Sequence, residues 1–229
     1  MRRPKRLPLD TLAPYLLEPA SPGSLELLNW PALFGNDHAV ELEIGCGKGA
    51  YLIDAAAARP EHNFLGLEID RALQLYVAAR LAKRNLTNAR MGCADARDFV
   101  ATRIADAALA AVHVYFPDPW WKKRHHKRRV WTPEFAAQCV RILRPGGRLH
   151  LATDVVEYYE IMRALLDDEA GLTRLRAREE SGSPRDDELL TNFERKARAK
   201  GGAVWRAEYE RTMGTAAPNL DRSGRASHN

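Results

Sequence analysis

From His38 onward the chain alternates short apolar runs with longer segments of helical period, and that alternation leaves few folds open. Residues 39–44 read as a buried strand, followed by an Ala-rich helix over 49–59. A second strand over 63–69 leads into a helix over 71–85, with Leu73, Tyr76, Val77 and Leu81 on one face. A short strand over 88–92, a strongly apolar one over 110–116 and a fifth over 148–152 continue the series. Thr132 and Pro133 form an N-cap and first turn that open a helix to Leu143, which Pro145-Gly146-Gly147 stops. Beyond Gly171 the spacing changes, with strands over 172–177 and 203–211 around a helix over 188–200. The expected fold is α/β: a mostly parallel sheet with helices on both faces and an antiparallel C-terminal strand. Residues 1–35 read as an extension with a short helix near 9–17, residues 36–213 as the main domain and 214–229, lacking periodicity, as a disordered tail. The stretch 179–187 is a polar loop.

Charge separates the classes of partner. Net charge is only +5, yet residues 2–6 hold four Lys/Arg, 122–129 hold six and 195–200 hold four, without an acid among them. The remainder of the chain therefore carries −9. Positive charge gathered in stretches suits a polyanion, although each stretch taken alone also reads as solvated surface. No run of about 18 uncharged apolar residues is present, so nothing in the sequence spans a membrane. The basic start is followed by Pro8, Asp10, Pro14 and Glu18 rather than an apolar core, which argues against a secretory leader. Cys46, Cys93 and Cys139 show no disulfide or zinc spacing, and a reducing cytoplasm is the simplest setting.

The first strand runs into Gly45-Cys46-Gly47-Lys48-Gly49-Ala50 and a helix. Glycines there permit a tight turn and let a ligand approach the backbone. The turn alone is ambiguous: Gly45, Gly47 and Ala50 fit the dinucleotide pattern, while Gly45, Gly47 and Gly49 fit that of Rossmann-like methyltransferases. Glu43, expected at the pocket mouth, opposes phosphates and suits the cationic methionyl end of S-adenosylmethionine. Glu68 ends the second strand, where an acid meets ribose hydroxyls. Asp95 has two compatible readings, a helix N-cap before Ala96 and an acceptor for an adenine amino group.

The fourth strand runs into Phe116-Pro117-Asp118-Pro119-Trp120-Trp121 and then into Lys122-Lys123-Arg124-His125-His126-Lys127-Arg128-Arg129. An acid restrained between prolines, an aromatic surface and a basic run thus follow one another at the carboxyl end of a strand, where such sheets bind ligands. These residues resemble the bacterial tRNA (guanine-N7)-methyltransferases. Glu43-Ile44-Gly45-x-Gly47-x-Gly49, Ala152-Thr153-Asp154 and Thr191-Asn192-Phe193-Glu194 extend the resemblance over roughly 38–212. It implies a Rossmann-like class I methyltransferase fold and S-adenosylmethionine contacts at Glu43, Glu68, Asp95 and Asp118. It further implies catalysis at Asp118 and substrate contacts at Lys122, Asp154, Thr191, Asn192, Phe193 and Glu194. The implied substrate is the variable-loop guanosine at tRNA position 46. Trp121 stands where many relatives have His, and Asn192 where Lys is common, which puts one phosphate contact in doubt. Asp154 also reads as a helix cap, Phe193 as core, and Trp120 as packing.

The chemistry suits these groups. Guanine N7 has a lone pair and no proton, so it attacks without a general base. Alignment of N7, methyl and sulfur is the main task, and positioning supplies up to about 7–11 kcal/mol. The product base is cationic, so a nearby carboxylate stabilises the developing charge. Asp118 is expected to orient the guanine through its N1-H and N2-H₂ edge. Amino-group methyltransferases carry Asn/Asp-Pro-Pro-aromatic at this strand end, and Pro117-Asp118-Pro119-Trp120 shifts the acid by one position. A non-catalytic RNA-binding module is opposed by the intact acids Glu43, Glu68 and Asp118. A nicotinamide oxidoreductase leaves the basic run without a role. His125 and His126 have no partners at metal spacing, so no metal is expected. No protein partner is evident, and either a monomer or a homodimer fits.

Overall fold

The apolar runs marked by the periodicity become strands of one sheet. The computed structural model describes residues 7–17, 26–180, 191, 194–195 and 201–213. In it β1 (Ala39–Ile44), β2 (His62–Glu68), β3 (Ala89–Cys93), β4 (Leu109–Tyr115) and β5 (Leu143–Thr153) run parallel. With β6 (Leu172–Glu180) and β7 (Val204–Arg211) they form a seven-stranded sheet in the order β3-β2-β1-β4-β5-β7-β6. β7 is antiparallel to both its neighbours, as expected for the C-terminal strand. The strand order reverses between β1 and β4, which opens a crevice at the carboxyl edge.

Two short helices, α1 (Leu9–Leu12) and α2 (Trp30–Phe34), precede the sheet. Leu17 N donates to Met91 O at 2.9 Å, so the segment after α1 lies along the edge strand β3. The helices α3 (Ala50–Ala58) and α4 (Arg71–Arg84) bury Leu52, Ile53, Val77 and Leu81 against Phe64 and Met91. On the opposite face α5 (Ala96–Arg103), α6 (Pro133–Ile142) and α7 (Val156–Asp167) bury Phe99, Phe135, Met162 and Leu166 against Leu42, Val112 and Leu149. Each such side chain contributes roughly 1.5–3 kcal/mol.

Three expectations change. The fifth strand begins at Leu143, not Arg148: Pro145-Gly146-Gly147 lies within it, where the pairing to β4 is irregular between Leu109 and Ala111. The helix before the proline-glycine run stops as expected, at Ile142, but the run itself lies in the strand rather than in a loop. Asp154 does not cap α7: Val155 holds that position without a side-chain bond, and its N–H donates to Thr153 Oγ1 at 3.2 Å. β6 extends to Glu180, absorbing the start of the polar loop. Residues 181–187, most of the helix expected over 188–200, the N-terminal basic stretch and the tail from 214 lie outside the described residues.

Strand alternation also buries charge. Leu42 and Ile44 face the α6 layer, so Glu41 and Glu43 point to the α3 side. Glu41 accepts from Arg59 Nη1 at 2.5 Å and from His113 Nε2 at 2.8 Å, and lies 2.7 Å from His62 Nδ1. Burial alone would raise its carboxyl, but His113, Arg59 and His62 outweigh it and hold it near 2. Burial keeps His113 below the usual histidine range. It thus acts as a neutral donor to Glu41 through Nε2, with Nδ1 left to accept from Tyr115 Oη at 3.0 Å.

Candidate active site

The turn after β1 places three glycines in the left-handed region, with φ of 68° at Gly45, 53° at Gly47 and 65° at Gly49. Their reasons differ. A Cβ on Gly45 or Gly47 would meet nothing within 4 Å, so these present bare backbone to the crevice. A Cβ on Gly49 would come within 2.5 Å of Val77, so this glycine lets α3 approach α4.

Glu68, at the end of β2, is fixed by the turn it faces. Its Oε2 accepts from Gly47 N at 2.9 Å, and its Oε1 from Ile69 N at 2.8 Å and Asp70 N at 3.2 Å. A carboxylate has about four acceptor positions, so capacity for a further donor remains. Asp95 caps α5 by accepting from Arg97 N at 2.9 Å and pairs with Arg97 Nη2 at 3.0 Å. The Arg97 hydrogen bond holds its carboxyl below the usual range. The cap reading of Asp95 therefore stands, and the residue also lines the crevice.

Glu43 is deeper than expected. It is 4% exposed, lies in the strand beneath the glycine turn rather than at the mouth, and its Oε2 has no hydrogen-bond partner. Burial pushes its carboxyl up to about 8, and the charge on Glu68 adds to the effect. A buried carboxylate oxygen without a partner is a rare and costly feature that a bound cation would relieve.

Opposite the turn, β4 ends in a constrained loop. Phe116 has φ 51° and Trp120 φ 44°, a backbone region in which bulky residues are strained by about 1–3 kcal/mol each. Asp118 sits between them and between two prolines, exposed on the crevice wall. The crevice encloses about 580 Å³, within the range of small-molecule sites, and Gly45, Gly47, Glu68, Asp95, Asp118 and Trp120 all line it.

Trp120 both lines and packs: Arg128 lies over its ring at 5.0 Å, and His125 meets it edge-on at 5.7 Å. Lys122, Asp154, Thr191 and Glu194 are not among the described residues of this wall. Lys122 and Asp154 are exposed, the latter at the end of β5. Thr191 Oγ1 accepts from Glu194 N at 3.1 Å, and Glu194 is buried in an ion pair with Arg206. Arg206 in turn lies 5.9 Å from the ring of Tyr115, which borders the crevice. Asn192 and Phe193 lie outside the described residues.

Sequence reasoning missed Arg97, Tyr115 and the inward role of the last residues of the basic run. Arg129 Nε donates to Pro119 O at 2.7 Å, and Arg97 Nη1 to Lys127 O at 3.0 Å. Tyr115 had a signal, since it shares strand parity with His113. The arginine contacts join segments with no local pattern.

Comparisons with known proteins agree with this geometry. A family model described as "Putative methyltransferase" matches residues 37–207. A tRNA (guanine-N(7)-)-methyltransferase of Rhodopirellula baltica is 44% identical over 192 residues, 80% of this chain and 70% of its own. One of Alcanivorax borkumensis is 39% identical over 208 residues, 90% of this chain and 85% of its own. The crystal structure of the 16S rRNA methyltransferase KamB superposes with a TM-score of 0.58 at 15% identity, covering 80% of this chain and 93% of its own. That likeness concerns the fold, a class I methyltransferase sheet. With the glycine turn, the proline-flanked acid and similarity running through most of both chains, this protein belongs to the bacterial tRNA (guanine-N7)-methyltransferase family.

Proposed function

We propose that this chain transfers the methyl group of S-adenosylmethionine to N7 of a guanine in tRNA, the variable-loop guanosine at position 46. The observation that carries the reading is that Asp118 shares one crevice with the glycine turn, Glu68 and Asp95. The residues fit the cofactor on structural grounds: the unpartnered Oε2 of Glu43 suits a cationic amino-acid end, and the bare backbone of Gly45 and Gly47 admits close approach. Glu68 has acceptor capacity for ribose hydroxyls, and Asp95 for an adenine amino group. When bound, S-adenosylmethionine supplies a methyl group activated on a sulfonium.

The protein's own part is orientation and charge. Asp118 accepts from the N1-H and N2-H₂ edge of guanine and offsets the positive charge that grows on the ring. Trp120 offers a flank for the base. Lys122, Asp154, Thr191, Asn192, Phe193 and Glu194 are the further substrate contacts. We take 36–213 as the catalytic domain and 1–35 as an extension. The free thiols of Cys46, Cys93 and Cys139 suit a cytoplasmic enzyme, monomeric or homodimeric. Among the described residues no helix is long and apolar enough to cross a membrane.

The test is digestion of treated, unmodified tRNA to nucleosides. The expected product is 7-methylguanosine, whereas methylation of an exocyclic amine would overturn the reading. Asp118→Asn is expected to lower turnover about 100-fold, and full turnover in that variant would remove Asp118 from the chemistry.

A further inference from the structure

Asp118 is held by a loop that is unfavourable at both ends. Phe116 and Trp120 have positive φ, and Pro117 and Pro119 cannot donate hydrogen bonds. The Phe116 end is pinned by its own N–H, which donates to Ala152 O at 2.7 Å. At the far end the loop is held from outside. Arg129 Nε donates to Pro119 O at 2.7 Å, and its guanidinium lies 5.0 Å over the ring of Tyr158, which is 1% exposed. Arg128 lies over Trp120 from the same strand of chain.

We propose that Arg129 is a positioning residue: it acts through the Pro119 carbonyl to hold Asp118 at the crevice, and it is not a phosphate contact. Resting on the proposed methyl transfer, the inference makes a distinct demand on substitutions. Arg129→Gln keeps an N–H donor at the same distance along the side chain and loses the charge. Arg129→Lys keeps the charge and moves the donor one bond further out. Arg129→Met keeps the approximate length and has neither.

Steady-state methylation of tRNA is measured for all three, together with tRNA affinity across a salt series. If Arg129 positions the loop, Lys and Met lose between about 10- and 100-fold in kcat. Gln then stays within several-fold of wild type, and KM for tRNA and the salt slope stay unchanged throughout. A Lys variant that equals or exceeds Gln in kcat overturns the inference, as does a salt slope reduced in Gln and Met but restored in Lys. The Gln and Lys pair decides the matter even where Met does not fold. Absence of 7-methylguanosine from the wild-type reaction overturns the functional reading and this inference with it. Methylation by the wild type with Lys above Gln overturns this inference alone.

Discussion

Glu41 and Glu43 share a strand and a sheet face, yet they titrate in opposite directions. Glu41 has Arg59, His62 and His113 around it, whereas Glu43 has a buried oxygen with no partner. A raised carboxyl binds its proton more tightly in the folded state. Its contribution is therefore fully present below the ordinary value near 4.5 and is lost as pH rises toward about 8. By pH 8 that loss is on the order of 4 kcal/mol. Glu43→Gln removes it, so the free variant is expected to melt at the same temperature as wild type near pH 4.5 and several degrees higher at pH 8. The same change removes the proposed partner of the cofactor's ammonium, weakening S-adenosylmethionine binding by roughly 10- to 100-fold. Calorimetric titration at pH 7 in buffers of different ionisation enthalpy should show proton release on binding in wild type and none in the variant. A variant that binds as tightly as wild type would take Glu43 out of the site.

At the scale of elements, the join between β1, α3 and α4 depends on Gly49. A methyl group there meets Val77 at 2.5 Å and also forces an L side chain to φ 65°. Gly49→Ala is expected to destabilise by about 2–4 kcal/mol, measured by urea unfolding. Gly47→Ala has no such neighbour and should lose less stability while blocking the crevice floor. A Gly49 variant as stable as wild type would show that α3 and α4 can separate without penalty. Such elements were legible where periodicity was strong: β1 begins and ends where the apolar run does, and Thr132 caps the helix it precedes. α5 was less so, since over Ala96–Arg103 only Phe99 and Val100 are buried and the stripe is too narrow to show a period. The proline-glycine run marked the end of α6 but hid the start of β5, because such residues also occur where strand pairing is irregular. A parallel sheet sends the ends of β1, β2, β3 and β4 to one edge, so the glycine turn, Glu68, Asp95 and Asp118 were bound to meet. Interactions such as Arg129 with Pro119 follow no period, and only coordinates reveal them.

Across the whole sequence, charge is divided between three basic stretches and a remainder of opposite sign. With −9 on the rest of the chain, a polyanion is repelled by most of the surface and drawn to the basic stretches. The run 122–129 borders the crevice, and its residues divide by where they point. Lys122, Arg124, Lys127 and Arg128 are exposed, Arg128 with its guanidinium over Trp120, while Arg129 is half-buried over Tyr158. If Lys122, Arg124 and Lys127 meet phosphates, replacing all three by Ala should weaken tRNA binding at low salt. Every phosphate left without its cation lowers the slope of log affinity against log salt by about 0.7–0.9, so the triple variant should show a slope shallower by roughly 2 to 3. Cofactor affinity and melting temperature should not move, because none of these side chains reaches the crevice or the core. A double variant at Arg128 and Arg129 should do the reverse, keeping most of the slope while losing turnover. If instead the triple variant kept the wild-type slope, the phosphates would have to be met by basic residues elsewhere, and the run beside Asp118 would be serving the loop alone.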